Sequence, residues 1–145
     1  MNLDRGRERG QALTEFAIVL PLLLLLLVGI LDFGRAVYAS HTIGNAARQA
    51  ARLAIVDQNF DRVVARAEDH AVGLDITLTA EYWNPIPNAD PTANEACMPV
   101  IRDCIVIVEV DAVYQAATPI IGGFIGPFTL TATTEMPVER EYISP

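Results

Sequence analysis

From Phe16 to Leu31 the chain runs for sixteen residues without a charged or strongly polar side chain. No other segment limits the possible folds so tightly, because a helix this apolar must find either a core or a bilayer to sit in. Crossing a hydrocarbon core as a helix takes about 20 residues. Adding Ala12, Leu13 and Thr14 brings the stretch to roughly that length and takes in Glu15. Pro21 would break a soluble helix, but a helix in lipid can kink there and continue. Arg5, Arg7 and Arg9 precede the run, diluted by Asp4 and Glu8. Arginines on that flank favour a cytoplasmic location for it, with the rest of the chain on the far side. The alternative is a cleavable secretory signal, with Val37-Tyr38-Ala39 as a small-residue cleavage site. Against it, the apolar core exceeds the usual length, Asp32 and Arg35 intervene before the cut, and a helical pattern continues beyond. The chain therefore reads as a single-pass membrane protein, with residues 32–145 exported.

From Asp57 onward there are fourteen Asp and Glu against four Arg, a net charge of −10, and the chain contains no Lys. Such a surface repels phosphate, which argues against a nucleic-acid partner. It suits a solvated domain, or one that pairs with a basic partner. Cys97 and Cys104 have six residues between them, including Pro99. Two thiols without a neighbouring His make a poor zinc site. In an oxidising compartment the favoured reading is a disulfide, worth about 2–3 kcal/mol for so small a loop.

Asp32 to Val56 is rich in Ala, with Val37, Ile43, Ala47, Ala50 and Ala54 mostly three or four residues apart, so the helix is expected to continue past the membrane. From Gln11 to Val56 it would measure about 70 Å, with Gly34 and Gly44 as possible bends. Its small residues suit either close packing among bundled helices or packing onto the chain's own domain. Asp57-Gln58-Asn59 marks a break and cap before a second helix, Phe60 to Val72, which Gly73 would end. Strands follow at Asp75–Trp83, where Ile76, Leu78, Ala80 and Tyr82 share a face, at Cys104–Tyr114 and at Phe128–Met136. Asn84 to Asp103, with four prolines, reads as a loop, and Pro119–Pro127 as a Gly-rich connector made of turns. The residues from Met136 on are an edge or tail. Helices followed by three antiparallel strands define an α+β class: a long transmembrane helix, an Ala-rich extension, and a head of one helix and a three-stranded sheet.

No constellation of residues points to catalysis. His41 and His70 stand alone, and His70 with Glu68 and Asp69 lacks the i, i+4 spacing of a helical metal site. No phosphate loop or nucleophile elbow is present, so neither an enzyme nor a cofactor or metal is expected. Tyr82-Trp83 is either a binding platform or the core-facing end of a strand.

One motif carries more. Gly10-Gln11-Ala12-Leu13-Thr14-Glu15-Phe16 sets a glycine five residues before a glutamate, followed by an aromatic and the apolar run. This resembles the processing site of type IV prepilins of the Tad (tight adherence, Flp-type) branch, with Phe16 where Tyr is frequent. The string RGQALTEFAIVLPLLLLLLVGILDFGR with the following NAARQAARLA is similar to the TadE-like pseudopilin family, as is the tail PIIGGFIGPFTLTATTEMPVE. The resemblance implies cleavage between Gly10 and Gln11 by an aspartyl prepilin peptidase at the cytoplasmic face of the inner membrane. It also implies that Glu15, beside Phe16, pairs with the new α-amino group during subunit addition, offsetting the cost of burying its charge. On charge position alone, Glu15 could equally sit in the headgroup region. The implied organisation is a leader at 1–10, a transmembrane helix at 11–31, an extension at 32–56 and a periplasmic head at 57–145. The implied partners are the peptidase, other pilins and pseudopilins, Tad inner-membrane assembly proteins and membrane lipid. The implied role is that of a minor pilin or pseudopilin in pilus assembly; an uncleaved bitopic scaffold of an envelope or secretion complex is the alternative.

Overall fold

The computed structural model describes residues 4–84, 97, 100 and 104–139. Helix α1 (Asp4–Ala54) is followed by α2 (Phe60–Glu68), strands β1 (Ile76–Trp83) and β2 (Ile105–Tyr114), helix α3 (Pro119–Ile125) and strand β3 (Phe128–Pro137). The architecture is the expected α+β arrangement of a long apolar helix, a small helix and a three-stranded antiparallel sheet.

At 51 residues, α1 is about 76 Å long, and Pro21, Gly34 and Gly44 do not interrupt it. Its two halves have opposite surroundings. In the second half, Ala39, Ile43, Ala46, Ala47, Ala50, Ala51 and Ala54 are buried, on a stripe that recurs every three or four residues. They pack with Val63 and Ala67 of α2 and with Val106, Val108 and Val110 of β2 in one core. Alanine at these positions lets the helix backbone approach the valine face of the sheet without leaving a gap. This stretch of small residues is thus used within the chain's own head, and Val37 is left 39% exposed.

The turn out of α1 is closed by polar groups. The Tyr82 hydroxyl donates to Ala54 O at 3.3 Å, and Glu139 N donates to Ile55 O at 3.1 Å. The buried Asp57 carboxylate accepts from Asn59 N at 3.1 Å and pairs with Arg62 at 2.5 Å. The Asn59 side chain accepts from Arg62 N at 3.2 Å and caps α2, as the break predicted. That helix stops at Glu68, short of the expected Val72. His70 N and Ala71 N turn back onto Ala67 O and Glu68 O, which tightens the chain and buries Ala71 while Val72 points outward. Gly73, at φ 79°, completes the reversal.

The sheet is a meander in the order β1-β2-β3. Ile76 pairs with Ala112 and Trp83 with Ile105; on the other side Ile105 pairs with Pro137 and Tyr114 with Phe128. Ile76, Leu78, Ala80 and Tyr82 do share the inner face. Trp83 is 39% exposed on the outer face at the strand end, so it is not a core residue.

Two expectations are corrected. The connector at Pro119–Pro127 is not a string of turns but contains α3. Proline at its first position presets the helical φ, Gly122 N donates to Thr118 O at 2.8 Å, and Gly126 N donates to Gly122 O at 2.9 Å. Gly126, at φ 71° and ψ −179°, ends it in a conformation open essentially to glycine alone. The chain after Met136-Pro137 is also no loose tail through Glu139: Val138 is buried against Cys97 and Cys104, and its N–H donates to Cys104 O at 2.8 Å. The predicted loop at Asn84–Asp103 lies, except for Asn84, Cys97 and Val100, outside the described residues, as do residues 1–3 of the predicted leader and residues 140–145.

Candidate functional site

Gly10, Gln11, Glu15 and Phe16 all lie on α1, upstream of the head, and all are exposed. The Gln11 amide donates to Glu15 Oε1 at 3.1 Å, one helical turn away, and the Thr14 hydroxyl donates to Gly10 O at 3.0 Å. The Gln11 and Glu15 side chains are therefore on one face, and the Gly10–Gln11 bond is inside the helix. Gly10 has no heavy atom near the position a Cβ would take. Glycine is the cheapest non-proline residue to take out of a helix.

Downstream, the side chains of α1 from Leu13 to Leu31 point into open space almost all round. The most apolar eighteen-residue window of the helix has a mean hydropathy of 2.8 and is only 6% buried. The core helix of a soluble protein would be covered; this stretch has the length and composition to cross a bilayer and is left almost bare.

Where the apolar run ends, the structure brings together residues that sequence reasoning left apart. Asp32 is buried, and its carboxylate accepts from Ala117 N at 3.1 Å, Thr118 N at 3.3 Å and the Thr118 hydroxyl. The Tyr114 hydroxyl donates to Asp32 O at 2.9 Å, and the Tyr114 ring packs on Phe128 with centroids 5.3 Å apart. Arg35, 3.9 Å from the carboxylate and largely exposed, contributes a weak attraction. This junction holds the entry to α3 against α1, so that Ile121, Phe124 and Ile125 line a groove of about 700 Å³ with Leu22, Leu25, Leu26, Gly29, Ile30 and Phe33. The sequence signal for the junction is an acid directly after the apolar run.

Cys97 and Cys104 form a disulfide, with Cα atoms 6.3 Å apart, in a small cluster with Val138. Cys97 N donates to Tyr82 O at 2.8 Å, so the bridge ties the far end of the sheet to the chain around it. Burial, and then the nearby Asp57 carboxylate, push the Tyr82 phenol above its ordinary value of 10.0. His41 is exposed, and His70 Nδ1 lies 3.0 Å from Arg66 O. Among the described residues, no three His, Cys, Asp or Glu side chains gather as a metal site.

An apolar helix joined to an α+β head gives, among the described residues, one candidate membrane span. The comparison with known families narrows this. The model of the family described as TadE-like protein matches residues 10–52, from the motif glycine to the last turn of α1. Over that helix the chain is similar to the TadE-like family; α2, the sheet and α3 lie outside the match. No curated protein and no solved structure matches the chain.

Proposed function

We propose that this chain is a minor pilin or pseudopilin that takes part in assembly of the Tad type IV pilus. The observation carrying this reading is that the TadE-like match begins at the glycine of the Gly10–Glu15–Phe16 motif and runs into an apolar stretch whose most apolar eighteen-residue window is only 6% buried. A helix of that kind can exchange lipid for the helices of neighbouring subunits without disturbing its own head. In this reading the chain is a single-pass protein of the bacterial inner membrane, with residues 1–10 cytoplasmic and the head periplasmic. A prepilin peptidase removes residues 1–10 by cutting between Gly10 and Gln11. The new ammonium at Gln11 then lies one helical turn from Glu15, close enough to neutralise a carboxylate in low dielectric, within one subunit or between two. The partners are the peptidase, other pilins and the Tad inner-membrane assembly proteins. The protein performs no catalysis of its own, and the disulfide fits its exported head.

The test is co-expression with the cognate prepilin peptidase and mass spectrometry of the N-terminus. Wild type should begin at Gln11, whereas Gly10→Ala should keep its leader. An intact wild-type leader beside an active peptidase would defeat the reading. It would leave an uncleaved bitopic scaffold of an envelope or secretion complex, which the continuity of α1 through the Gly10–Gln11 bond favours.

A further inference from the structure

We propose that α3 is a lipid-inserting finger: a second, short apolar element of the head that enters the membrane leaflet on the head's side, next to the span. The inference rests on the reading of α1 as a membrane anchor, and goes beyond it by giving the head its own contact with lipid. Three observations carry it.

The first is geometric. Ile121 Cδ1 lies 4.0 Å from where a Gly29 Cβ would be, and α3 shares a groove with side chains of α1 from Leu22 to Phe33. Gly29 is about 3 Å along the helix from the end of the apolar run at Leu31, and Leu22 is about 14 Å from it. One leaflet of a bilayer has about 15 Å of hydrocarbon. Whatever depth Phe16–Leu31 takes, α3 is carried in beside its last turns.

The second is exposure. Phe124 is 90% exposed and Ile125 65%, both unusual for large apolar side chains on a domain that must live in water. They continue the surface presented by Ile30 and Phe33 of α1, so the two elements form one apolar surface facing one solvent.

The third is charge. From Ala112 to Thr134 there are twenty-three residues with no Asp, Glu, Arg or His, in a region that otherwise has a net charge of −10. Its part from Tyr114 to Phe128 lies next to the span, while Thr131 and Thr133 farther along β3 stand opposite Asp111 and Glu109. The backbone donors at the entry to α3 are also provided for. Ala117 N and Thr118 N, which would be orphan donors at the mouth of the finger, are taken by Asp32, and position 119 is a proline with no N–H. An acid placed directly after a membrane span is thereby explained: it satisfies the backbone donors that lead into the finger.

The test uses the full chain reconstituted in phosphatidylcholine–phosphatidylglycerol vesicles. Trp83 is the only tryptophan and lies at the far end of β1. Replacing it (Trp83→Phe) frees the signal for one reporter at a time: Phe124→Trp, Ile125→Trp as a second position on the finger, and Leu23→Trp in the middle of the span. Lipids brominated near the carbonyl end of the acyl chain, or near its terminal methyl, quench at different depths. The finger reporters should emit at shorter wavelength than native Trp83 and lose most intensity with the shallow bromines. The span reporter should lose most with the deep ones. Finger reporters that stay red and unquenched while Leu23→Trp is quenched would overturn the finger and leave the anchor standing. A blue-shifted but unquenched finger would overturn it too, by showing that another protein chain covers α3. If Leu23→Trp is itself unquenched, the anchor fails and the finger fails with it.

Discussion

Asp32 links two elements 85 residues apart in sequence through Ala117 and 86 apart through Thr118. Asp32→Ala removes the acceptor for both backbone N–H groups and for the Thr118 hydroxyl. Hydrogen exchange should then show the Ala117 and Thr118 amides exchanging faster, with the β1–β2 ladder still protected. Asp32→Asn keeps one carbonyl oxygen and should fall between the two; equal protection in all three proteins would remove the tether. Nothing in the sequence named these partners, since a carboxylate's long-range backbone donors have no local pattern. The Asn59 cap, by contrast, was legible because its donor is only three residues away. Tyr82 makes a pH prediction. Its phenol is held above 10.0 in the folded state, first by burial and then by Asp57. The stability linked to its proton is therefore complete below the unfolded value and is lost as pH rises through the higher folded one. Urea midpoints should fall in strongly alkaline buffer for wild type and fall less for Tyr82→Phe. At neutral pH that variant should lose only about 1 kcal/mol, the worth of its hydrogen bond to Ala54 O. Parallel alkaline curves for the two proteins would show that Tyr82 is not the titrating group.

Among the elements, α1 joins two helices with different rules. Around Ala47 and Ala50, both fully buried, the space beneath the helix is matched to a methyl group. Ala50→Leu should therefore overpack the face toward β2 and destabilise the head by about 1–3 kcal/mol. Leu23→Ala, on the uncovered half, should leave the head's stability unchanged. Chemical denaturation of the two variants in the same detergent reads the contrast, and an equal loss would mean that the halves are not independent. The alternation of β1 and β2 and the length of the apolar run were readable because each follows from a simple period or from unbroken hydrophobicity. The second helix was read four residues too long, because Ala71 and Val72 continue its apolar composition while the backbone has already turned. Helix α3 was hidden for a different reason. Gly122-Gly123 between two prolines has the local signature of turns, and its helical state goes with contacts to Gly29 and Asp32 that are remote in sequence. The Ala-rich stretch was ambiguous for a physical reason as well: small residues permit any close approach, whether to a neighbouring subunit or to the chain's own sheet.

For the whole molecule, the unbroken helix sets a fixed ruler between head and motif. From Asp32, where the head grips α1, to Glu15 is about 25 Å along the axis, nearly the thickness of a hydrocarbon core of about 30 Å. With the junction at one membrane surface, Glu15 therefore reaches the opposite side of the apolar layer, one helical turn from the backbone at Gln11. Before cleavage that backbone carries only an amide, and Glu15 has the Gln11 side chain as its neutral partner. After cleavage it would face an ammonium. The proposed role therefore separates two events that a simple anchor would not. Glu15→Gln keeps the size and hydrogen-bonding reach of the side chain but cannot pair with a positive charge. It should be cut between Gly10 and Gln11 as fully as wild type, because the peptide bond and Gly10 are untouched. It should then remain in the membrane fraction while wild type appears in sheared pili or supports their assembly. Mass spectrometry of the N-terminus reads the first event, and immunoblots of sheared and membrane fractions, with pilus counts, read the second. Normal piliation by Glu15→Gln would show that the carboxylate's charge is dispensable and would remove the pairing. Loss of cleavage together with piliation would place its role before assembly.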